Sequence, residues 1–164
     1  MLARFWKLLL MMVFLIIGDQ LTKGAIQTSF YYGESLPILE GLFNLTYVRN
    51  TGAAFGFMAG SHEIVRQILF LFVPVIFSFW VFYMLVKSLK GPMYLSLAYA
   101  LILAGATGNL IDRFTLGYVV DFLDFYIGQS HFPAFNVADS CITVAGFLLL
   151  ADFFIQVKAK RSNA

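Results

Sequence analysis

Residues Ile68 to Val86, ILFLFVPVIFSFWVFYMLV, run for nineteen positions without a charged side chain, interrupted only by Pro74 and Ser78. A helix needs about 20 mainly apolar residues to cross about 30 Å of hydrocarbon, so this stretch predicts a membrane span. The composition around it agrees. The 164-residue chain is 60% hydrophobic, 18% aromatic and 12% charged, whereas a soluble domain averages about 45–50% apolar and about 25% charged. Intrinsic disorder is excluded, because it requires low hydrophobicity and high charge. Length suits one integral membrane domain, residues 1–164. The net charge of +2 is carried by scattered basic residues that cannot track a phosphate backbone, so no nucleic-acid partner is expected. One cysteine, Cys141, and two histidines, His62 and His131, supply neither a disulfide framework nor a zinc ligand set. No metal or cofactor is expected, and any chemistry falls to carboxylates, hydroxyls, amides or lysine.

Three further spans flank this one. Met93 to Ile111 is free of charge and carries Ala100, Ala104 and Gly108 at intervals of four, a smooth stripe that lets a neighbouring helix approach closely. Val137 to Val157 is apolar except for Asp139 near its start and Asp152 near its end. The first span, about Phe5 to Ala25, follows Arg4, contains Lys7 and runs apolar from Leu8 to Ile17 before it meets Gly18, Asp19, Gln20 and Lys23. A secretory signal peptide has a similar outline. No convincing small-x-small cleavage site follows the apolar run, and no cysteine lies near it to make the chain itself a lipoprotein precursor. A retained helix with Asp19 inside it is therefore expected.

Lysine and arginine flanking a span stay in the cytoplasm. Arg4 and Lys7, then Lys87 and Lys90, then Lys158, Lys160 and Arg161 fall on one side of a four-span topology with both termini cytoplasmic. Asp19, Glu34, Glu40, Glu63, Asp112, Asp121, Asp124 and Asp139 then gather at the outer end, and Asp152 alone stays near the inner face. The outer loops span residues 26–61 and 112–136. In the first, Phe43, Leu45 and Tyr47 alternate with Asn44, Thr46 and Val48, the period of a strand with one apolar face. Phe30, Tyr31 and Tyr32 read as interfacial aromatics, and Gly52, Gly56 and Gly60 follow at a spacing of four. The expected fold is an all-α membrane protein, a bundle of four transmembrane helices with a small β cradle on its outer face.

Ionisable groups at bilayer depth are costly, so each is a functional hypothesis. Asn136 can cap the last span, which makes Asp139 its third residue, beside free N–H groups and the positive end of the helix dipole; such a pair also serves purely structural ends. Asp121 lies in Gly117-Tyr118-Val119-Val120-Asp121-Phe122, which would hold a carboxylate against the membrane surface, although an exposed loop acid fits as well. Asn109, Asp112 and Arg113 share a helix face if the third span continues, and Arg113 can either pair with Asp112 or orient a substrate carbonyl. Two carboxylates meeting in a partly dry site share one proton and can activate water. The dipole at Asp139 favours its charged form, leaving Asp121 as the expected holder of that proton. Nucleophile chemistry is poorly served: Ser140 points about 100° away from Asp139 around the helix, Lys23 has no evident serine partner, Cys141 reads as packing and His131 as a loop residue without a second ligand. A proton or cation transporter using Asp19, Asp121 and Asp139 stays open, as does a scaffold whose acids merely close helix ends.

Five blocks taken in order narrow this choice. Asp19-Gln20-Leu21-Thr22-Lys23, Asn50-Thr51-Gly52-Ala53-Ala54-Phe55, Gly108-Asn109-Leu110-Ile111-Asp112-Arg113, Val119-Val120-Asp121-Phe122 and Phe135-Asn136-Val137-Ala138-Asp139-Ser140 resemble the successive signature blocks of the bacterial lipoprotein signal peptidase (signal peptidase II) family. The resemblance covers most of the chain, and Ile127 to Phe132 is its least family-like stretch. It implies an aspartyl endopeptidase of the bacterial inner membrane, active at the outer face, that cuts prolipoproteins just before a diacylglyceryl-modified cysteine. Asp121 and Asp139 then correspond to the catalytic pair, Asn50, Asn109, Arg113 and Asn136 to polar residues around the substrate, and Asp19, Lys23, Gly52 and Asp112 to supporting positions. The implied partners are a lipid-modified prolipoprotein and membrane lipids, and the enzyme is expected to be a monomer.

Overall fold

The structure is a computed structural model that describes residues 1–52, 64–65 and 68–162. In chain order it contains α1 (Leu2–Ser29), a hairpin of β1 (Ser35–Leu39) and β2 (Phe43–Asn50), a π-helical turn (Ile68–Phe72) that runs into α2 (Val73–Ser88), α3 (Met93–Leu116), β3 (Val119–Ile127), β4 (Ser130–His131) and α4 (Val137–Ser162). Ala53 to Phe55, Gly56, Gly60, His62 and Glu63, all part of the sequence reading, lie outside the described residues.

Local chemistry accounts for the helix ends. Pro74 lies just past the π-helical turn inside the continuous stretch Ile68–Ser88, where its missing N–H interrupts the helical ladder. Gly117 ends α3 in the left-handed conformation at φ 79° and donates its N–H to the Arg113 carbonyl, a geometry that a side chain would strain. Asn136 accepts the Asp139 N–H through Oδ1 at 2.9 Å, so the expected cap and the third-residue placement of Asp139 are both present. Three stretches are long and apolar enough to cross a membrane, Ile68–Ser88, Met93–Leu116 and Val137–Ala159. This is one fewer than expected. The fourth long helix, α1, has 28 residues and measures about 42 Å at 1.5 Å per residue, but it carries Arg4, Lys7, Asp19 and Lys23, each costly in hydrocarbon.

Packing sets the helices antiparallel. Leu8, Val81, Leu85, Tyr99, Ala100 and Leu103 close one core where α1, α2 and α3 meet, and Ala98, Leu101, Cys141 and Ala145 close a second between α3 and α4. Cys141 is a buried free thiol, as its packing assignment requires. The small-residue stripe works as expected: Ala100 and Ala104 are buried, a side chain on Gly105 would overlap the Ala138 carbonyl, and one on Gly108 would lie 2.6 Å from Asp19 Oδ2. The outer flanks expose Phe72, Ile76, Phe79, Phe147, Phe153 and Phe154, the surface that lipid tails would cover.

The two ends of the bundle differ. At one, Arg4 donates from Nη1 to the Gly91 carbonyl at 2.8 Å and from Nη2 to the Pro92 carbonyl at 2.7 Å, tying the start of α1 to the turn that carries Lys90, just past Lys87 in the last turn of α2. At the other lies an antiparallel sheet in the order β1-β2-β3-β4, with Val48 opposite Asp121, Arg49 opposite Val120 and Asn50 opposite Val119. The strand expected from Phe43 extends to Asn50. The region expected to be a loop from 112 to 136 is structured instead: α3 continues to Leu116, and Val119 to Ile127 forms the strand that carries Asp121. A third core of Ile26, Tyr47, Val120 and Phe122 fastens this sheet to the end of α1.

Candidate active site

Lys23 reaches the site from α1 and is 1% exposed, beside Asp19 and Asp112 at 2% each. An ammonium carries three N–H donors, and each has one acceptor here: Asp19 Oδ2 at 2.8 Å and Asp112 Oδ2 at 3.1 Å, and Asn109 Oδ1 at 2.9 Å. The second oxygens of the two acids are also occupied. Asp19 Oδ1 accepts the Ala138 N–H at 2.8 Å, which joins α1 to the first turn of α4 and explains why Asp19 and Asp139 share one depth. Asp112 Oδ1 accepts from Gln20 Nε2 at 2.9 Å, while its Oδ2 also accepts the Val120 N–H at 3.0 Å and so holds the start of β3. Among the described residues the alternative Asp112–Arg113 ion pair is not made; Asp112 serves Lys23 because only that cation enters its buried face.

Asp121 and Asp139 approach from different elements. Asp121 lies on β3 and is 2% exposed, which removes the exposed-loop reading, and Asp139 lies half-buried in the first turn of α4. Asp121 accepts from Asn136 Nδ2 at 2.7 Å on Oδ1 and from Asn50 Nδ2 at 2.9 Å on Oδ2. Asp139 Oδ1 accepts from Asn109 Nδ2 at 2.7 Å. Asn136 Nδ2 also contacts Asn109 Oδ1 at 3.1 Å, so two amides bridge the two carboxylates. Gly52 donates its N–H to Asn50 Oδ1 at 3.1 Å, and a side chain at Gly52 would come within 2.7 Å of the Phe70 ring. Burial pushes the Asp121 carboxyl up to about 7; the Asn50 amide works against this and the nearby Asp139 charge adds to it. Arg113, half-buried, extends past Phe70 with its Cζ 5.9 Å from the ring centroid.

The structure therefore brings together nine of the ten residues singled out for the site through direct hydrogen bonds and ion pairs: Asp19, Lys23, Asn50, Gly52, Asn109, Asp112, Asp121, Asn136 and Asp139. Three of the four expected substrate ligands, Asn50, Asn109 and Asn136, direct their Nδ2 groups onto carboxylates. Sequence reasoning missed Gln20, whose position inside the first block was its only signal. It also missed a polar row that crosses all four strands: Ser35 Oγ lies 2.8 Å from Thr46 Oγ1, Thr46 donates to Asp124 Oδ2 at 3.3 Å, and Asp124 Oδ1 meets His131 Nδ1 at 2.8 Å. His131 also stacks on Tyr126. Among the described residues no group of His, Cys, Asp or Glu is arranged to hold a metal ion.

Apolar flanks on a helical bundle, with carboxylates and amides concentrated at one end under a small sheet, define a multi-pass membrane protein with a polar site at that end. Residues 11–155 match the family model described as signal peptidase (SPase) II, and the chain belongs to that family of proteases. It is 48% identical to the lipoprotein signal peptidase of Shewanella loihica over 151 residues, 92% of this chain and 86% of that one. The lipoprotein signal peptidase of Syntrophus aciditrophicus is 43% identical over 145 residues, 88% of this chain and 90% of its own. A bacterial membrane enzyme solved by the in meso method at 2.3 Å superposes with a TM-score of 0.82 at 34% identity, covering 94% of this chain and 91% of that one.

Proposed function

We propose that this chain is an aspartyl endopeptidase that removes the signal peptide from diacylglyceryl-modified prolipoproteins, cutting just before the lipidated cysteine. The observation that carries this reading is the Asp121–Asp139 pair, bridged by Asn136 and Asn109 at 2.7–3.1 Å and lacking the ammonium that neutralises Asp19 and Asp112. One water held between the carboxyls loses a proton to Asp139 as its oxygen bonds to the scissile carbonyl carbon. Asp121, whose burial pushes its carboxyl up to about 7 and so keeps a large share of it protonated near neutral pH, passes that proton to the carbonyl oxygen. Collapse of the tetrahedral species breaks the C–N bond: the leaving nitrogen takes the proton from Asp139, and one hydroxyl of the gem-diol returns its proton to Asp121 as the C=O re-forms. Arg113, past Phe70, is suited to a peptide carbonyl.

The bundle supports a lateral approach. An apolar signal helix and two acyl chains partition into lipid, and the site sits at the headgroup level of one end. With α1 counted as a fourth crossing, both termini and the basic residues lie on the cytoplasmic side of the bacterial inner membrane and the site lies outside. The enzyme works as a monomer, since both acids come from one chain. The test is purified protein in detergent with a lipidated prolipoprotein: wild type releases the signal peptide, and Asp121→Asn and Asp139→Asn each abolish release. Full activity in either variant overturns the pair, and an inert wild type favours transport or scaffolding.

A further inference from the structure

Resting on the reading above, we infer that Lys23 is a positioning residue that, through Asn109, fixes the direction of the amides around the acid pair and leaves Asp139 Oδ2 as the oxygen that receives the water's proton.

The argument is one of hydrogen-bond polarity. An ammonium can only donate, so the Asn109 atom 2.9 Å from Lys23 Nζ must be its oxygen. The Asn109 Nδ2 then has to point at Asp139 Oδ1. The second lone pair of Asn109 Oδ1 takes a proton from Asn136 Nδ2, and this orientation is set a second time by the Asp139 backbone N–H, which needs Asn136 Oδ1 as its acceptor. Asn136 Nδ2 is thereby turned onto Asp121 Oδ1. Asn50 is oriented separately, because the Gly52 N–H occupies its oxygen and leaves its Nδ2 for Asp121 Oδ2. Three of the four carboxylate oxygens in the pair thus receive an amide N–H. The fourth, Asp139 Oδ2, receives none among the described residues, and Asp139 is the half-buried member of the pair.

A neutral side chain at position 23 would remove one of the two donors that hold Asn109 Oδ1, leaving only Asn136 Nδ2 to oppose a turn of the amide. Its oxygen would then face Asp139, and two acceptors would oppose each other. The supporting ion cluster and the reacting pair are accordingly one donor relay rather than neighbours.

The experiment uses Asn109→Asp, which is nearly isosteric and keeps an acceptor for Lys23 but removes the donor to Asp139. At neutral pH kcat per folded molecule is expected to fall about 100-fold, the effect of deleting one preorganised donor, with KM close to wild type and a lowered thermal midpoint, because the new carboxyl faces Asp139. Acidification, which returns a donating O–H to position 109, should recover about tenfold of that loss. A kcat within about threefold of wild type, or a loss that acid does not relieve, overturns the relay. Lys23→Gln, whose amide can present either atom to Asn109, should lower kcat per folded molecule even where its stability is restored by low temperature; unchanged turnover overturns the role of Lys23. Infrared titration of 13C-labelled aspartate without substrate separates this from the function itself: Asn109→Ala, which removes the donor to Asp139 without adding a carboxyl, should shift the carboxylate bands, and unchanged bands remove the relay, whereas an inert wild type with shifted bands removes only the proposed reaction.

Discussion

Two groups of buried acids share Asn109 and differ in one respect. Asp19 and Asp112 face the Lys23 ammonium at 2.8 and 3.1 Å, and backbone N–H groups or Gln20 take up their other lone pairs. Asp121 and Asp139 are held only by neutral amides. A charge neutralised on every side holds helices together and has nothing left to exchange. A carboxylate that is dry, held in place and short of a cation keeps its proton up to about pH 7 in the case of Asp121, which is the property an acid catalyst needs. Identical side chains thus divide into a fastener and a reactive pair according to whether an ammonium bonds to them directly.

The comparison breaks most sharply at the reactive pair. Asp121→Asn and Asp139→Asn should each lower signal-peptide release by about 10⁴-fold or more, as loss of a group central to the chemistry does elsewhere, while thermal unfolding in detergent moves little. Asp112→Asn should do the reverse in kind. It removes one partner of a buried ion cluster at a cost of about 3–5 kcal/mol, read as a large drop in thermal midpoint and a loss of folded yield.

Asp121 also carries a pH signature. The Asp121 carboxyl binds its proton more tightly folded than unfolded, so its contribution to stability is full below the ordinary carboxylate range and is lost as pH rises from about 4 through about 7. Cleavage should decline over the upper part of the same window. Thermal midpoints and kcat measured from pH 4 to 9 check this, and in Asp121→Asn the stability slope should flatten. The smallest effect belongs to the sheet's polar row: His131 is half-exposed beside Asp124, and such pairs contribute about 1 kcal/mol or less, so His131→Ala should lower the thermal midpoint by no more than a few degrees and leave kcat unchanged.

Much of this was legible before any coordinates. The starts of the last two helices at Met93 and Val137 coincide with the expected ones, because a charge-free apolar run and the Asn136 cap are local signals. The strand from Phe43 was read from its alternation. Val119 to Ile127 was not, since acids at positions 121 and 124 spoil a period of two and its pairing partner is β2, some seventy residues earlier in the chain. The continuation of α3 to Leu116 escaped for a similar reason: Asp112 and Arg113 look like a boundary until Lys23, from a distant helix, turns Asp112 into a buried contact. At the site, residue types and block order marked nearly every participant, but not its partner.

What the amino-acid order determined alone is the solvent and the parts: spans apolar enough for lipid, basic residues gathered on one side, a small-residue stripe for close packing, and a short list of polar groups too costly to be there without purpose. Each follows from nearest-neighbour chemistry along one helix or strand. Tertiary structure decided which acid meets a cation and which meets another acid, because that depends on approach across α1, α3, β3 and the head of α4 to within a hydrogen bond. Electrostatic energy changes steeply over those few ångströms, and no pattern along a single segment encodes them.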